Sequence, residues 1–139
     1  MTPAEARRRF AGTRVAHLAT ASPDGRPHVV PVVFAVVGDR IVSAVDHKPK
    51  RTTALRRLAN VQVNPAVALL VDHYEGDWSR LWWARADGRG AVLEAGTPRA
   101  EAAVDALVAR YDQYRGHRPA GPVLGVDVER WSGWAAARS

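Results

Sequence analysis

Residues 28–45, with the sequence HVVPVVFAVVGDRIVSAV, decide the fold. The first part, His28–Val37, is almost continuously apolar and rich in β-branched residues, which is typical of a buried strand. Gly38-Asp39 is a two-residue hairpin signal, and a second strand is predicted over Arg40–Val45. This segment therefore predicts two antiparallel strands joined by a tight turn.

Pro31 interrupts the first of these strands. Proline has no backbone N–H and cannot donate a hydrogen bond to a neighbouring strand. Three interpretations follow: Pro31 lies on an edge strand, at a bulge, or where a ligand covers the backbone in place of a strand.

Short strands and tight turns continue on both sides of this segment. The turn Ser22–Gly25, with its proline and glycine, joins a strand over Val15–Ala21 to His28. Further strands are predicted over Ala66–Tyr74, Leu81–Ala86, Gly90–Ala95 and Val123–Ala136. Leu81–Ala86 and Gly90–Ala95 are predicted to form a hairpin around Asp87-Gly88.

Three helices are predicted from capping signals and apolar spacing. Thr2-Pro3-Ala4-Glu5 carries the marks of a helix start, and the helices are expected over residues 3–11, 51–62 and 98–114. Many hairpins with two to three helices indicate a mainly β or α+β fold, an antiparallel barrel rather than a parallel sheet.

The composition is that of one folded domain over residues 1–139, with 47% hydrophobic and 24% charged residues. There is no cysteine, which excludes disulfides, thiolate metal sites and a cysteine nucleophile. No signal peptide or membrane span is expected, so the predicted location is the cytoplasm. The net charge of +6, with 18 of the 20 basic residues being Arg, favours an anionic partner.

Common catalytic motifs are missing from the sequence. There is no G-x-S-x-G, and Gly88-Arg89-Gly90 lacks the third glycine and the following helix of a dinucleotide fingerprint. The five histidines show no spacing typical of zinc ligands, so no metal site is expected.

The clearest binding signal is Lys48-Pro49-Lys50-Arg51-Thr52-Thr53, at the predicted start of the second helix. Helix N-termini have unpaired N–H groups and a partial positive charge, so an anion is stabilised there. Cationic side chains at that end are repelled by the partial positive charge of the helix, unless a bound anion compensates them. The pattern predicts a phosphate or carboxylate site, whereas the alternative is a solvated basic loop.

Aromatic side chains form a second signal at Tyr74, Trp78, Trp82 and Trp83. In a strand, Trp82 and Trp83 point to opposite faces, so one can fill the barrel while the other meets solvent, a ligand or another subunit. Core packing and a subunit contact account for most of these residues, and a planar ligand needs only one or two.

Together, DGRPHVVPVVF, IVSAVD, KPKRTTALRRLAN, NPAVALLVDHY and DWSRLWWARADG resemble the split β-barrel flavoproteins of the pyridoxamine 5'-phosphate oxidase-like family over nearly the whole chain. Within that family the sequence resembles the small proteins assigned to the deazaflavin coenzyme F420, most specifically in LWWARADG. The resemblance implies a homodimer with two equivalent cofactor sites at the subunit interface.

The resemblance also implies which residues contact the cofactor. The backbone of Val30, Pro31 and Val32 and the hydroxyl of Ser43 would contact the ring or its ribityl chain, and Trp78 would come from the other subunit. Lys48, Lys50, Arg51 and Thr52 would hold the phosphate tail. The spacing Lys-Pro-Lys-Arg departs from the Arg-x-Lys of better-characterised relatives, so the contacts to the tail can be distributed differently.

The implied activity is hydride transfer between reduced F420 and a small conjugated organic substrate, with Tyr74, His73 or water as the proton donor. Alternatives are an FMN-binding oxidoreductase of the same fold and a deazaflavin carrier without turnover. A nucleic-acid-binding module is disfavoured because the basic residues are scattered rather than interleaved with aromatics on one strand face.

Overall fold

The computed structural model describes residues 1–45 and 51–137, without the side chains of residues 51–55. The strands are β1 (Ala16–Ala21), β2 (Pro27–Val32), β3 (Ala35–Val37), β4 (Arg40–Ala44), β5 (Ala66–His73), β6 (Trp82–Leu93) and β7 (Val123–Ala135). The helices are α1 (Pro3–Ala11), α2 (Arg51–Val63), α3 (Pro98–Arg110) and α4 (Gln113–Gly116), and Trp78–Arg80 forms a single 3-10 turn.

The seven strands form one antiparallel sheet in the order β2-β1-β5-β6-β7-β4-β3. The two strands at the ends of this order, β2 and β3, are consecutive in the chain and are separated only by Val33 and Phe34. The sheet therefore curls until its two edges meet at these residues. The result is a barrel that is split between β2 and β3, which confirms the predicted α+β split-barrel fold.

The predicted continuous strand His28–Val37 is wrong, because the chain bends at Val33-Phe34. The bend is held by side chains from elsewhere in the chain. The hydroxyl of Tyr111 accepts a hydrogen bond from Phe34 N at 3.2 Å and lies 2.8 Å from Phe34 O, while Ser43 Oγ donates to Val33 O at 2.8 Å. Side chains thus take the place of strand partners for the backbone polar groups at the bend.

The predicted hairpin around Asp87-Gly88 is also wrong, because β6 is one continuous strand. Asp87 pairs with Arg130 and Gly88 with Val128, so Glu129 is the extra residue of a β-bulge in β7. A Cβ built at Gly88 would lie 2.2 Å from the Asp127 carbonyl oxygen. Glycine is required here for the close approach of two strands rather than for a turn.

The predicted third helix ends earlier than expected. Helix α3 ends at Arg110, Tyr111 leaves the helical conformation, and α4 follows as a separate turn. The described residues therefore contain four α-helices instead of two or three. The first helix, Pro3–Ala11, agrees with its prediction, and Thr2 Oγ1 caps it by accepting from Glu5 N at 3.2 Å.

Two helices close the ends of the barrel. At the α2 end, which comprises Ala21, Pro27, Ala44, Ala66, Leu93 and Val123, Val61 of α2 packs into the core against Gly90. At the opposite, α1 end, Phe10 packs against Phe34 and Trp131, with ring centroids 4.9 and 5.3 Å apart. The barrel interior between them is apolar, with Leu18, Ile41, Leu69 and Leu124 buried.

Helix α3 packs on the outside of the barrel, against β3, β4 and β7, through Val104 and Leu107. The outer face of β2, β1 and β5 is accessible to solvent in the described part of the chain and carries Val29, Pro31, Ala19, Ala68 and Leu70. No described helix is both long enough and apolar enough to cross a membrane.

Candidate cofactor site

The strand expected to lie against a ring is an edge strand. Val30, Pro31 and Val32 belong to β2, which pairs with β1 alone among the described strands. Pro31 lies opposite His17, and proline is tolerated on such an edge strand because only one side of the strand has a neighbour. The edge-strand interpretation of Pro31 is confirmed, and Val29 beside it is 60% exposed.

Ser43 lies in β4 and is buried. Its hydroxyl donates to the Val33 carbonyl at the bend, 2.8 Å away, and so ties β4 to the end of β2. A contact between this hydroxyl and a cofactor would require that bond to be shared or broken.

The basic cluster predicted to hold an anion falls mostly outside the described residues. Lys48 and Lys50 lie in that undescribed segment, and of Arg51 and Thr52 only the backbone is described, in the first turn of α2. Helix α2 follows β4 in the chain. The last residue of β4, Ala44, belongs to the α2 end of the barrel.

The aromatic residues lie at the other end of the molecule. Trp78 and Tyr74 are 74% and 71% exposed and belong to the connection that follows His73, at the α1 end. The eight residues of β5 separate them from the end of α2, a length of roughly 25 Å. Within one chain, Trp78 therefore lies beyond the far end of β5 from the end of α2.

Polar contacts hold the connection between β5 and β6 in shape. His73 Nε2 contacts Glu75, and Arg80 Nε lies 3.2 Å from the same carboxylate. Asp77 accepts hydrogen bonds from the Ser79 hydroxyl at 2.7 Å and from Ser79 N at 3.1 Å, and these bonds lower the pKa of the Asp77 carboxyl. The loop thus presents Trp78 and Tyr74 to solvent on an ordered backbone.

A cleft of about 290 Å³ lies between the β1–β2 turn and α2. It was not predicted from the sequence, because its residues are distant in the chain. Its lining includes Ser22, Asp24 and Arg26 from the turn, His28 from β2, and Arg56 and Asn60 from α2. Asn60 Nδ2 donates to Thr20 Oγ1 at 3.1 Å, which fixes α2 against β1 at this point.

Inside this cleft, one polar atom has no partner. His28 Nδ1 is buried and forms no hydrogen bond. His28 lies opposite Thr20 across β1 and β2, so its ring is on the side of the sheet that faces α2. Unpaired buried polar atoms are rare in proteins, and they often mark a missing ligand or water.

No group of three or more potential metal ligands occurs among the residues for which side chains are described.

The family model for pyridoxamine 5'-phosphate oxidase matches residues 2–135. The chain belongs to this family. No curated protein is similar enough to count as a match.

Solved structures agree on the fold. An FAD-binding protein from Mesorhizobium loti is 21% identical, with a TM-score of 0.75, and the match covers 96% of this chain and 92% of that one. A conserved hypothetical protein from Mycobacterium tuberculosis is 20% identical, with 98% and 86% covered and a TM-score of 0.76. A heme storage protein from Vibrio cholerae is 17% identical, with 97% and 95% covered and a TM-score of 0.72. At such identities the likeness concerns the fold alone.

Proposed function

We propose that this member of the pyridoxamine 5'-phosphate oxidase family is an F420-dependent oxidoreductase that transfers a hydride between the reduced deazaflavin and a small conjugated organic substrate. The observation that carries the proposal is the position of β2. It is an open edge strand that contains Pro31, and it leads from the α2 end of the barrel to the bend at Val33.

The described edge strand β2 and the sequence at the start of α2 together suit a flat ligand with an anionic end. The free edge of β2 offers backbone polar groups and the apolar surface of Val29, which suit the ring of a flavin or deazaflavin. The donor set at the start of α2, from Lys48, Lys50, Arg51 and Thr52, suits a phosphate. The phosphodiester and glutamate tail of F420 use more positive charge than the single phosphate of FMN, which favours F420.

When bound, the deazaflavin would be the group that carries the hydride. The protein's part is to position the ring against β2 and to hold the tail at α2. Tyr74 and His73 remain candidates for delivering a proton, although His73 is already bonded to Glu75. Water is the third candidate.

The active form we propose is a homodimer. Trp78, Tyr74 and His73 lie at the α1 end, whereas Ala44, the last residue of β4 before the basic cluster in sequence, lies at the α2 end, and a second copy would bring the aromatic residues to the same cofactor. The outer face of β2, β1 and β5, with Val29, Ala68 and Leu70, offers an apolar surface for that copy.

Fluorescence titration of the purified chain with F420, and separately with FMN, tests the cofactor. We expect saturable F420 binding that weakens by about tenfold or more for each of Lys48 and Lys50 replaced by Ala, because each loses a charge-assisted hydrogen bond. Arg99→Ala, which removes one exposed charge from α3, is the matched control and should bind normally. Micromolar FMN affinity without measurable F420 binding would reject F420 as the cofactor.

A carrier without turnover is the second candidate, favoured by the likeness to a heme storage protein, whose name describes holding a ligand rather than converting it. Stopped-flow mixing of the reduced F420 complex with conjugated acceptors separates the two. If the protein is an enzyme, its bound reduced F420 is oxidised faster than free reduced F420 reacts with the same acceptor. If the protein is a carrier, binding does not accelerate this oxidation.

A further inference from the structure

The cleft between the β1–β2 turn and α2 has a positive lining. Arg26 and Arg56 both line it, and neither forms an ion pair with any residue that the structure describes. Two guanidinium groups at one small cleft repel each other unless an anion lies between them. Both side chains are exposed to solvent, and an anion in the cleft would be attracted by both.

The acidic residue of the same cleft is already engaged. The Ser22 hydroxyl donates to the Asp24 carboxylate, and this bond is the main reason that the pKa of Asp24 is lowered. Ser22 Oγ in turn accepts from Arg26 N at 3.0 Å, so the bond belongs to the turn itself. One carboxylate against two guanidinium groups leaves the cleft with excess positive charge.

His28 supplies the second observation. His28 lines this cleft and its Nδ1 atom is buried without a hydrogen-bond partner, while Asn60, which also lines the cleft, is fixed to Thr20. A ring nitrogen that carries its proton can donate to an oxyanion, and a bond of this kind would satisfy Nδ1.

We propose that this cleft binds one oxyanion, a carboxylate or phosphate group, between Arg26, Arg56 and His28 Nδ1. Its volume of about 290 Å³ is at the lower end of ligand sites and is ample for one such group. Among the described lining residues, Arg56 and Asn60 lie about one and two turns of α2 beyond Thr52. The proposed site does not depend on which redox cofactor the protein takes.

The test uses the full chain labelled with 15N, without any redox cofactor, at low ionic strength. It is titrated with inorganic phosphate and with a glutamyl-glutamate peptide, and sodium chloride serves as the control for ionic strength. We expect saturable shifts confined to residues 22–28 and 56–60, with a Kd of about 1 mM. The His28 Nδ1 resonance should move with the same Kd. Saturation by phosphate alone indicates a phosphate group, and saturation by the peptide alone indicates a carboxylate.

The variants Arg26→Ala and Arg56→Ala are each expected to weaken this binding by about tenfold. Arg89→Ala removes an exposed arginine from β6 and should leave the binding unchanged. The proposal is overturned if sodium chloride causes the same shifts, if His28 Nδ1 does not respond, or if the Arg26 and Arg56 variants bind like the Arg89 variant. Because no redox cofactor is present, neither F420 nor FMN binding affects the result.

Discussion

At the residue scale, Tyr111 and Arg110 stabilise the place where the barrel is split between β2 and β3. Tyr111 is buried, and its hydroxyl lies 2.8 Å from both the Arg14 and Phe34 carbonyl oxygens and 3.2 Å from Phe34 N. Arg110 donates to the carbonyls of Phe34 and Ala11, each at 2.9 Å, and also contacts the Thr13 carbonyl. These two side chains hold the bend where β2 ends and β3 begins.

Tyr111→Phe should destabilise the chain by about 1–3 kcal/mol, because the buried N–H of Phe34 loses its acceptor. Urea unfolding measures this as a lower midpoint with an unchanged m value. Tyr74→Phe is the matched control, since Tyr74 is exposed, and its midpoint should stay within error of the parent. Equal stability of the two variants would show that the Tyr111 hydroxyl does not support the bend.

At the scale of elements, local sequence patterns predicted most strands and the first helix, but two predictions failed for the same reason. The bend at Val33-Phe34 depends on Tyr111, and the bulge opposite Gly88 depends on Asp127, and both partners are distant in sequence. Apolar runs and Asp-Gly pairs report local preference, whereas these breaks are set by tertiary contacts.

Some candidate site residues could be identified from the local sequence, whereas others could not. The cationic helix start is visible in the sequence because its residues are adjacent, as in Lys48-Pro49-Lys50-Arg51. The cleft of Arg26, His28 and Arg56 is not visible in the sequence, because it forms only when α2 packs against β1 through Asn60 and Thr20. No local pattern could have identified it.

Gly88→Ala tests the bulge. The added Cβ would meet the Asp127 carbonyl oxygen at 2.2 Å, so β6 or β7 must move, and we expect a loss of about 1–3 kcal/mol or more. Gly116→Ala is the control, because a Cβ there meets nothing within 4 Å and its φ is not positive. The thermal midpoints of the two variants should differ by several degrees. A Gly88 variant as stable as the Gly116 variant would contradict the close approach of the strands.

At the scale of the whole molecule, the barrel separates the parts that the proposed function must combine. The start of α2 is at one end, and Trp78 is beyond β5 at the other. Two copies that pack through the outer face of β2, β1 and β5 with their strands in opposite directions would bring the α1 end of one chain towards the α2 end of its partner. In the proposed function the cofactor site would therefore belong to the dimer, whereas the residues proposed to hold the anion would come from one chain.

A crystal structure of the full chain with F420 tests this account most directly. We predict a dimer with two bound cofactors, the ring of each against β2, its phosphate at Lys48–Thr52 and Trp78 of the partner subunit beside it. A monomer, or a cofactor bound away from both β2 and the start of α2, would contradict the account.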